Sequence, residues 1–240
     1  MSAISYLANL VLTNRQKKWI KIRRARLFEA LGSDRFSRPA LNGMESILMP
    51  FLPHSGGVFI ECGANDGYTQ SNTYYLSRFR NWRGVLIEPI PALWEICRKI
   101  RPEAHVLNCA LGATDSGSVT LIYSDLMTTT TDGFASEQDA LDFAGSNRKY
   151  VRHEGHYKIE MPLRTISSIL DELAIPEVDL FSLDVEGYEL EVLRGLDTDR
   201  HSINFILVET QKPNDVAELL ARTHRLEKKV THHDYLFQRL

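Results

Sequence analysis

The run Val58-Phe59-Ile60-Glu61-Cys62 breaks at once into Gly63-Ala64-Asn65-Asp66-Gly67, and no other junction in the chain constrains the fold as strongly. A short apolar run ending in a carboxylate reads as a buried strand. The glycines after it mark backbone that turns tightly or approaches a ligand closely. The same grammar recurs downstream. A helix fits 70–80, and Val85-Leu86-Ile87-Glu88 is a second strand, ended by Pro89 and Pro91. Residues 91–100 suit a helix and His105-Val106-Leu107-Asn108-Cys109 a third strand. Strands alternating with helices at this spacing predict a doubly wound, Rossmann-like α/β fold, a parallel sheet with crossover helices on both faces.

Residues 112–164 interrupt that rhythm. Ser118 to Tyr123 looks like an additional strand, and a long polar stretch from Ser124 to about Lys158 reads as a lid, a binding loop or local disorder. The alternation then resumes. Thr165 to Leu173 and Tyr188 to Arg194 are expected helices, Val178 to Asp184 and Phe205 to Glu209 expected strands. A helix follows over 214–223, and Tyr235-Leu236-Phe237 suits a last edge strand. The expected organisation is a basic helical arm over residues 1–35 and a domain over 36–240, with a variable insertion at about 124–158.

The arm places Leu7, Leu10 and Val11 on one helical face and follows them with a dense basic stretch, Arg15 to Arg26. The plain expectation is a solvated helix packed on the domain. The sharper ones are docking to an anionic membrane surface or an acidic partner, or packing against a second subunit. Over the whole chain the formal net charge is −3, so a general attraction to nucleic acid is not indicated. No apolar run approaches the ~20 residues that span a bilayer. The first apolar run precedes its basic residues, an order opposite to that of a secretory signal. Cys62, Cys97 and Cys109 form no CxxC pair or zinc pattern, and a reducing cytoplasm is the simplest expectation.

Four expected strands end in an acid: Glu61, Glu88, Asp184 and Glu209. In doubly wound sheets ligands bind beyond the carboxyl ends of the strands. Carboxylates gathered there repel one another and lose solvation, so stability does not explain them. Glu61-x-Gly63-x-x-x-Gly67 is not the GxGxxG turn that carries a pyrophosphate, and a carboxylate at its head would repel one. It suits a zwitterionic, sulfonium-bearing amino acid, while Glu88 can accept hydrogen bonds from two ribose hydroxyls. S-adenosylmethionine satisfies both. Taken singly, the glycines also fit an ordinary strand-to-helix turn, and Glu88 a solvated strand end.

With those residues in view, the chain resembles the FkbM-type methyltransferases. The resemblance rests on Phe59 to Gly67, on Leu86-Ile87-Glu88-Pro89, on Asn108-Cys109-Ala110-Leu111-Gly112 and on Leu183-Asp184-Val185-Glu186-Gly187-Tyr188-Glu189. Leu163 to Ile166 and Val192 to Gly195 are similar to that family too, and the match spans roughly residues 56–210. It implies a class I methyltransferase sheet and an S-adenosylmethionine-dependent O-methyltransferase acting on a hydroxyl of a sugar, glycan or other small hydroxylated acceptor. It implies further that Glu61, Gly63, Asn65 and Asp66, with Gly67 in the same turn, hold the methionine end of the cofactor. Glu88, with Pro89 beside it, would hold the ribose, Asn108 and Ala110 the adenine, and Asp184 would face the methyl group.

An aliphatic hydroxyl is a poor nucleophile until its proton leaves, and two routes are open. A general base can take the proton, or a bound divalent ion can acidify the hydroxyl. The loop histidines His153 and His156 could supply a base, although histidines in polar loops are more often plain surface residues, and Asp184 and Glu186 join His156 as the catalytic candidates. Asp184, Glu186 and Glu209 offer hard oxygens suited to magnesium or calcium, with Asp184 and Glu209 the candidate ligands. Carboxylates at 186 and 189 also suit the start of a helix, where the dipole favours them. Three competing functions fit the sequence less well. A nicotinamide dehydrogenase lacks its GxGxxG. A nucleic-acid methyltransferase usually shows an Asn/Asp-Pro-Pro-aromatic turn, where this chain has Asp184-Val185-Glu186-Gly187. A non-catalytic interaction protein would have less need of intact Glu61, Gly63, Gly67 and Glu88.

Overall fold

The computed structural model describes residues 13–52, 55–123, 128–130, 136–146 and 157–240. The junction at residue 62 sits at the centre of a seven-stranded sheet. Strands β1 (Val58–Cys62), β2 (Arg83–Ile87) and β3 (His105–Leu107) run outward in one direction, each parallel to the last. The chain then crosses to the other side of β1 and lays down β8 (Glu177–Leu183) and β9 (Ser202–Glu209), again parallel. The strand order therefore reverses between β1 and β8, where a doubly wound sheet opens its crevice.

The final hairpin completes the other edge. β11 (Asp234–Arg239) inserts antiparallel between β9 and β10 (His224–Lys229), giving the order β10-β11-β9-β8-β1-β2-β3. Tyr235 to Phe237 is therefore interior, not an edge. The edge is β10, whose His-Arg-Leu-Glu-Lys-Lys sequence carries no apolar alternation because all but its first residue is exposed.

Alternation along the strands divides the core into two layers. Ile60, Cys62, Val85, Ile87, Ile206 and Val208 point to one face. Helices α6 (Ile166–Glu172), α7 (Glu189–Arg194) and α8 (Pro213–Leu220) cover it with Ile169, Val192 and Val216. Phe59, Leu86, Leu180, Leu207 and Leu236 point to the opposite face. There α2 (Met44–Leu48), α3 (Tyr74–Phe79) and α4 (Pro91–Ile100) contribute Leu48, Leu76 and Cys97. Burying each such large side chain contributes about 1.5–3 kcal/mol. All three cysteines are buried free thiols.

Part of the segment that interrupts the rhythm builds a second, smaller sheet. β5 (Ser118–Tyr123) pairs antiparallel with β7 (Tyr157–Arg164) and with β6 (Thr129–Thr130), and β4 (Ala110–Leu111) joins β7 in parallel. The expected strand at 118–123 is present, and its partner β7 falls where no strand was expected. A helix α5 (Glu137–Ser146) lies between them in sequence.

At the other end of the chain, α1 (Asn14–Ala30) starts on a capping box formed by Thr13 and Gln16. It packs Ile22 and Ala25 against Tyr68, Tyr74 and Ile100. Leu7, Leu10 and Val11 lie outside the described residues. Among the described residues no helix is long and apolar enough to cross a membrane.

Candidate active site

At the end of β1 the backbone turns through Gly63 with φ +77°, and a Cβ there would collide with the carbonyl oxygen of Asp184. Only glycine lets β1 and β8 finish this close together. Asp184 is thereby set directly beside the turn, its N–H 3.4 Å from the Cys62 carbonyl. The N–H groups of Gly63 and Ala64 both reach the carbonyl of Ile87 on β2. The three strand ends at the reversal are thus locked by backbone alone. Gly67 (φ +79°) answers a different need, because a side chain there would strike Cys97 of α4 and Arg101 at the end of that helix.

Glu88 lies immediately beyond β2 and is buried. Its Oε2 accepts the Asn65 N–H at 2.7 Å and its Oε1 accepts the Ile90 N–H at 2.9 Å. Each oxygen keeps acceptor capacity toward the crevice. Burial raises its pKa to about 7, and the two backbone hydrogen bonds oppose that rise.

Glu61 does something the sequence does not announce. Its carboxylate accepts from Ser71 Oγ at 2.8 Å, Asn72 N at 2.8 Å and Thr73 Oγ1 at 2.5 Å. The guanidinium of Arg101, with no exposed surface, stands 4.0 Å away and also donates to Gly67 O, Ser71 Oγ and Thr73 Oγ1. Glu61 and Arg101 together pin the loop between β1 and α3. Arg101 escapes sequence reading because Lys99-Ile100-Arg101-Pro102 is an ordinary helix end. The Ser71-Asn72-Thr73 acceptors and donors carry no signal at their distance from Glu61.

These elements enclose one cavity of about 420 Å³, within the usual range for a small-molecule site. Glu61, Gly63, Asn65, Glu88, Pro89 and Ala110 all line it, as do Asp184, Glu186 and Glu209. Its apolar side is formed by Ile87, Ile90, Leu93 and Leu111, of which Ile90 and Leu93 belong to none of the motifs quoted from the sequence. The small sheet contributes Leu121, Thr129 and Thr130. Thr129 Oγ1 donates to the Glu186 carbonyl at 2.6 Å and ties this sheet to the loop after β8.

Three expected cofactor residues stand outside that wall. Asp66 turns its carboxylate into its own loop, where it accepts from Tyr68 N, Thr69 N and Thr69 Oγ1. Asn108 donates to the carbonyls of Glu88 and Pro89, both at 2.9 Å, and so braces the corner after β2 from behind. Gly67 faces α4. His153 and His156 lie outside the described residues.

The far side of the cavity is strongly acidic. Asp184 is pushed well above the ordinary carboxylate range, first by burial and then by Glu209, Glu186 and Glu189. Burial, Glu209 and Glu189 raise Glu186 to about 8. Glu209 is raised by burial and by Asp234 and Glu189, while a hydrogen bond with the Asp184 side chain partly offsets this. Burial and mutual repulsion therefore raise the proton affinity of all three carboxylates. Among the described residues no group of three or more His, Cys, Asp or Glu side chains is arranged to hold a metal ion. Asp184 and Glu209, the expected metal ligands, are hydrogen-bonded to each other instead. Glu186 sits in the loop with φ +53°, ahead of α7, while Glu189 accepts the Gly187 N–H at 2.7 Å where that helix begins.

Comparison with known proteins meets the same residues. The model of the methyltransferase FkbM domain matches residues 61–237. Over 110 residues the chain is 38% identical to the hexuronic acid methyltransferase AglP of Haloferax volcanii, covering 41% of this chain and 44% of that protein. The chain thus spans less than half the length of that relative. It is 23% identical over 219 residues to the methyltransferase sdnD of Sordaria araneosa, covering 78% of this chain and 83% of the other. Among solved structures, the methyltransferase FkbM of Methylobacillus flagellatus is 14% identical with a TM-score of 0.45, covering 76% of this chain and 43% of that one. A methyltransferase from Geobacter sulfurreducens is 10% identical, also at 0.45, over 98% and 96%. Likenesses this loose decide nothing about the fold, which stands on the strand order.

Proposed function

This chain belongs to the FkbM methyltransferase family and is an S-adenosylmethionine-dependent methyltransferase; from that premise we propose that it methylates a hydroxyl oxygen of a sugar or glycan. The observation that carries the proposal is the cluster of Asp184, Glu186 and Glu209, carboxylates of raised proton affinity on the wall of the cavity that Gly63 and Glu88 also line. A carboxylate with a raised pKa is a stronger base than an ordinary one, which is what an unactivated hydroxyl requires.

The wall fits the cofactor. Glu88 keeps an acceptor site on each oxygen for the ribose hydroxyls, and Ile87, Ile90, Ala110 and Leu111 offer an apolar slot for a purine. Gly63 and Asn65 border the methionine end, with Glu61 and Arg101 holding the neighbouring loop in place. S-adenosylmethionine, when bound, supplies an electrophilic methyl group and a positive charge beside the acidic wall.

The chain's own work is then positioning, proton removal and exclusion of water. Asp184 in its ionised form takes the hydroxyl proton and becomes neutral, and its hydrogen bond with Glu209 helps hold that proton. Backbone contacts from Gly63 and the Thr129 tether keep these groups from drifting, which matters because alignment contributes much of the rate. The sugar named in the relative from Haloferax volcanii supports a sugar acceptor here. Magnesium has no support in the donor set described above.

The test is transfer of a labelled methyl group from S-adenosylmethionine to a panel of neutral sugars, uronic acids and nucleic acids, with mass spectrometry locating the methyl group. A methyl ether on a sugar supports the proposal. A methyl group on nitrogen, on a carboxylate or on nucleic acid overturns it.

A further inference from the structure

Among the described residues, the domain packs against only one face of helix α1. The inner face is Ile22 and Ala25, with Trp19 partly buried beside them. The outer face carries Ile20, Leu27 and Leu31, which are 51%, 61% and 75% exposed. Spacings of seven and four residues put these three in one stripe along the helix. Lys17, Lys21 and Arg24 border the stripe on one side and Arg23 on the other. Arg24 is held in place by stacking on Phe36 at 3.9 Å. From Thr13 to Leu31 the chain has seven cations and one carboxylate, Glu29, in a protein whose net charge is −3. That carboxylate is engaged by Ser37 and Arg78 and compensates nothing on the outer face.

We propose that this outer face docks on an anionic lipid surface. A membrane interface takes up an apolar stripe and neutralises the cations flanking it in a single contact. Neither alternative occupant does both. A second copy packed face to face would bring the same cations against each other. A nucleic acid would neutralise the cations and leave Ile20, Leu27 and Leu31 against its phosphates. The helix also lies in a telling place. It covers Tyr68, in the loop whose following residues, Thr69 to Asn72, line the cavity. Leu41, in the short turn between α1 and α2, is itself 54% exposed and lines the same cavity. Docking through α1 sets the cavity close to the headgroups, within reach of an acceptor carried on the membrane. The proposal does not depend on which group is methylated.

The experiment is co-sedimentation of the full chain with vesicles of phosphatidylcholine alone and of equal parts phosphatidylcholine and phosphatidylglycerol. Binding is expected to be at least about tenfold stronger on the anionic vesicles and to fall as salt is raised. Two double variants, Ile20→Glu with Leu27→Glu and Lys21→Glu with Arg23→Glu, change only exposed side chains. Each should lose that binding while keeping its circular dichroism and its affinity for S-adenosylmethionine. Equal binding to both vesicle types, no binding to either, or variants that bind like the unaltered chain would each overturn the proposal. A concentration-dependent dimer abolished by the first variant, without vesicle binding, would assign the face to self-association instead. Binding of an RNA oligomer in place of vesicles would likewise overturn it.

Discussion

Gly63 and Asp184 meet backbone to backbone, so closely that a methyl group on the glycine would occupy the space of the aspartate's carbonyl oxygen. The contact joins the two strands between which the sheet reverses, and it sets the side chain of Asp184 on the cavity wall. Gly63→Ala must both relieve that collision and accommodate φ +77° with a side chain. A loss of at least about 2 kcal/mol is expected, measured as a shift in the urea unfolding midpoint. An unchanged midpoint would mean that β1 and β8 part easily.

Asp184→Asn keeps the shape of the side chain and removes its basicity. Transfer should fall by about a hundredfold or more, with the affinity for S-adenosylmethionine changed only a few-fold. Single-turnover kinetics together with calorimetric titration separate the two effects. Retained turnover would move the base elsewhere, to Glu186 or to a residue of the insertion.

Glu88→Gln leaves an acceptor and gains a donor where two acceptors face the crevice. Weakening of cofactor binding by roughly tenfold is expected, in line with the loss of one hydrogen bond to a charged group. Calorimetry reads this directly, and an unaltered dissociation constant would remove Glu88 from the ribose.

The acidic wall also makes a statement about pH. Glu88 and Glu186 titrate at about 7 and about 8 in the folded chain, against an ordinary 4.5. The folded state therefore holds protons that the unfolded chain has already released. Their contribution to stability is full below about pH 4.5 and is lost as the pH rises through about 7 to 8. The unfolding midpoint of the ligand-free protein should fall between about pH 5 and pH 8, and Glu186→Gln should flatten that slope. A midpoint that rises over the same interval would contradict the raised values.

Arg101 is buried with Glu61, and cutting one side chain leaves the other's charge without compensation. Arg101→Leu should cost about 3–5 kcal/mol by thermal or urea unfolding. Restoration of most of that loss by the double variant with Glu61→Gln would show that the uncompensated charge, not the lost packing, is responsible.

How far the sequence reached can be judged from particular residues. Runs such as Val58 to Cys62 and Val85 to Ile87 are apolar because parallel strands are covered on both faces, so their positions were legible from composition alone. The helix at 91–100 was equally legible, with Pro91 opening it. β7 was not, since its partner β5 lies more than thirty residues earlier and its pairing leaves no local pattern. β10 was hidden by the reverse effect, a charged edge strand that looks like a loop.

The candidate site divides along the same line. Local sequence determined that acids would end the strands and that glycines would follow the first of them. A strand's carboxyl end and a tight turn are properties of a few adjacent residues. Which acids share a cavity was decided by the crossover that lays β8 beside β1, bringing Asp184 to Gly63 across more than a hundred residues of chain. The same packing turned Asp66 and Asn108 to local bracing and enlisted Arg101 for Glu61. Burial then raised the proton affinities of Glu88 and Asp184, because the charge felt by a carboxyl group depends on what is packed around it and not on its neighbours in the chain.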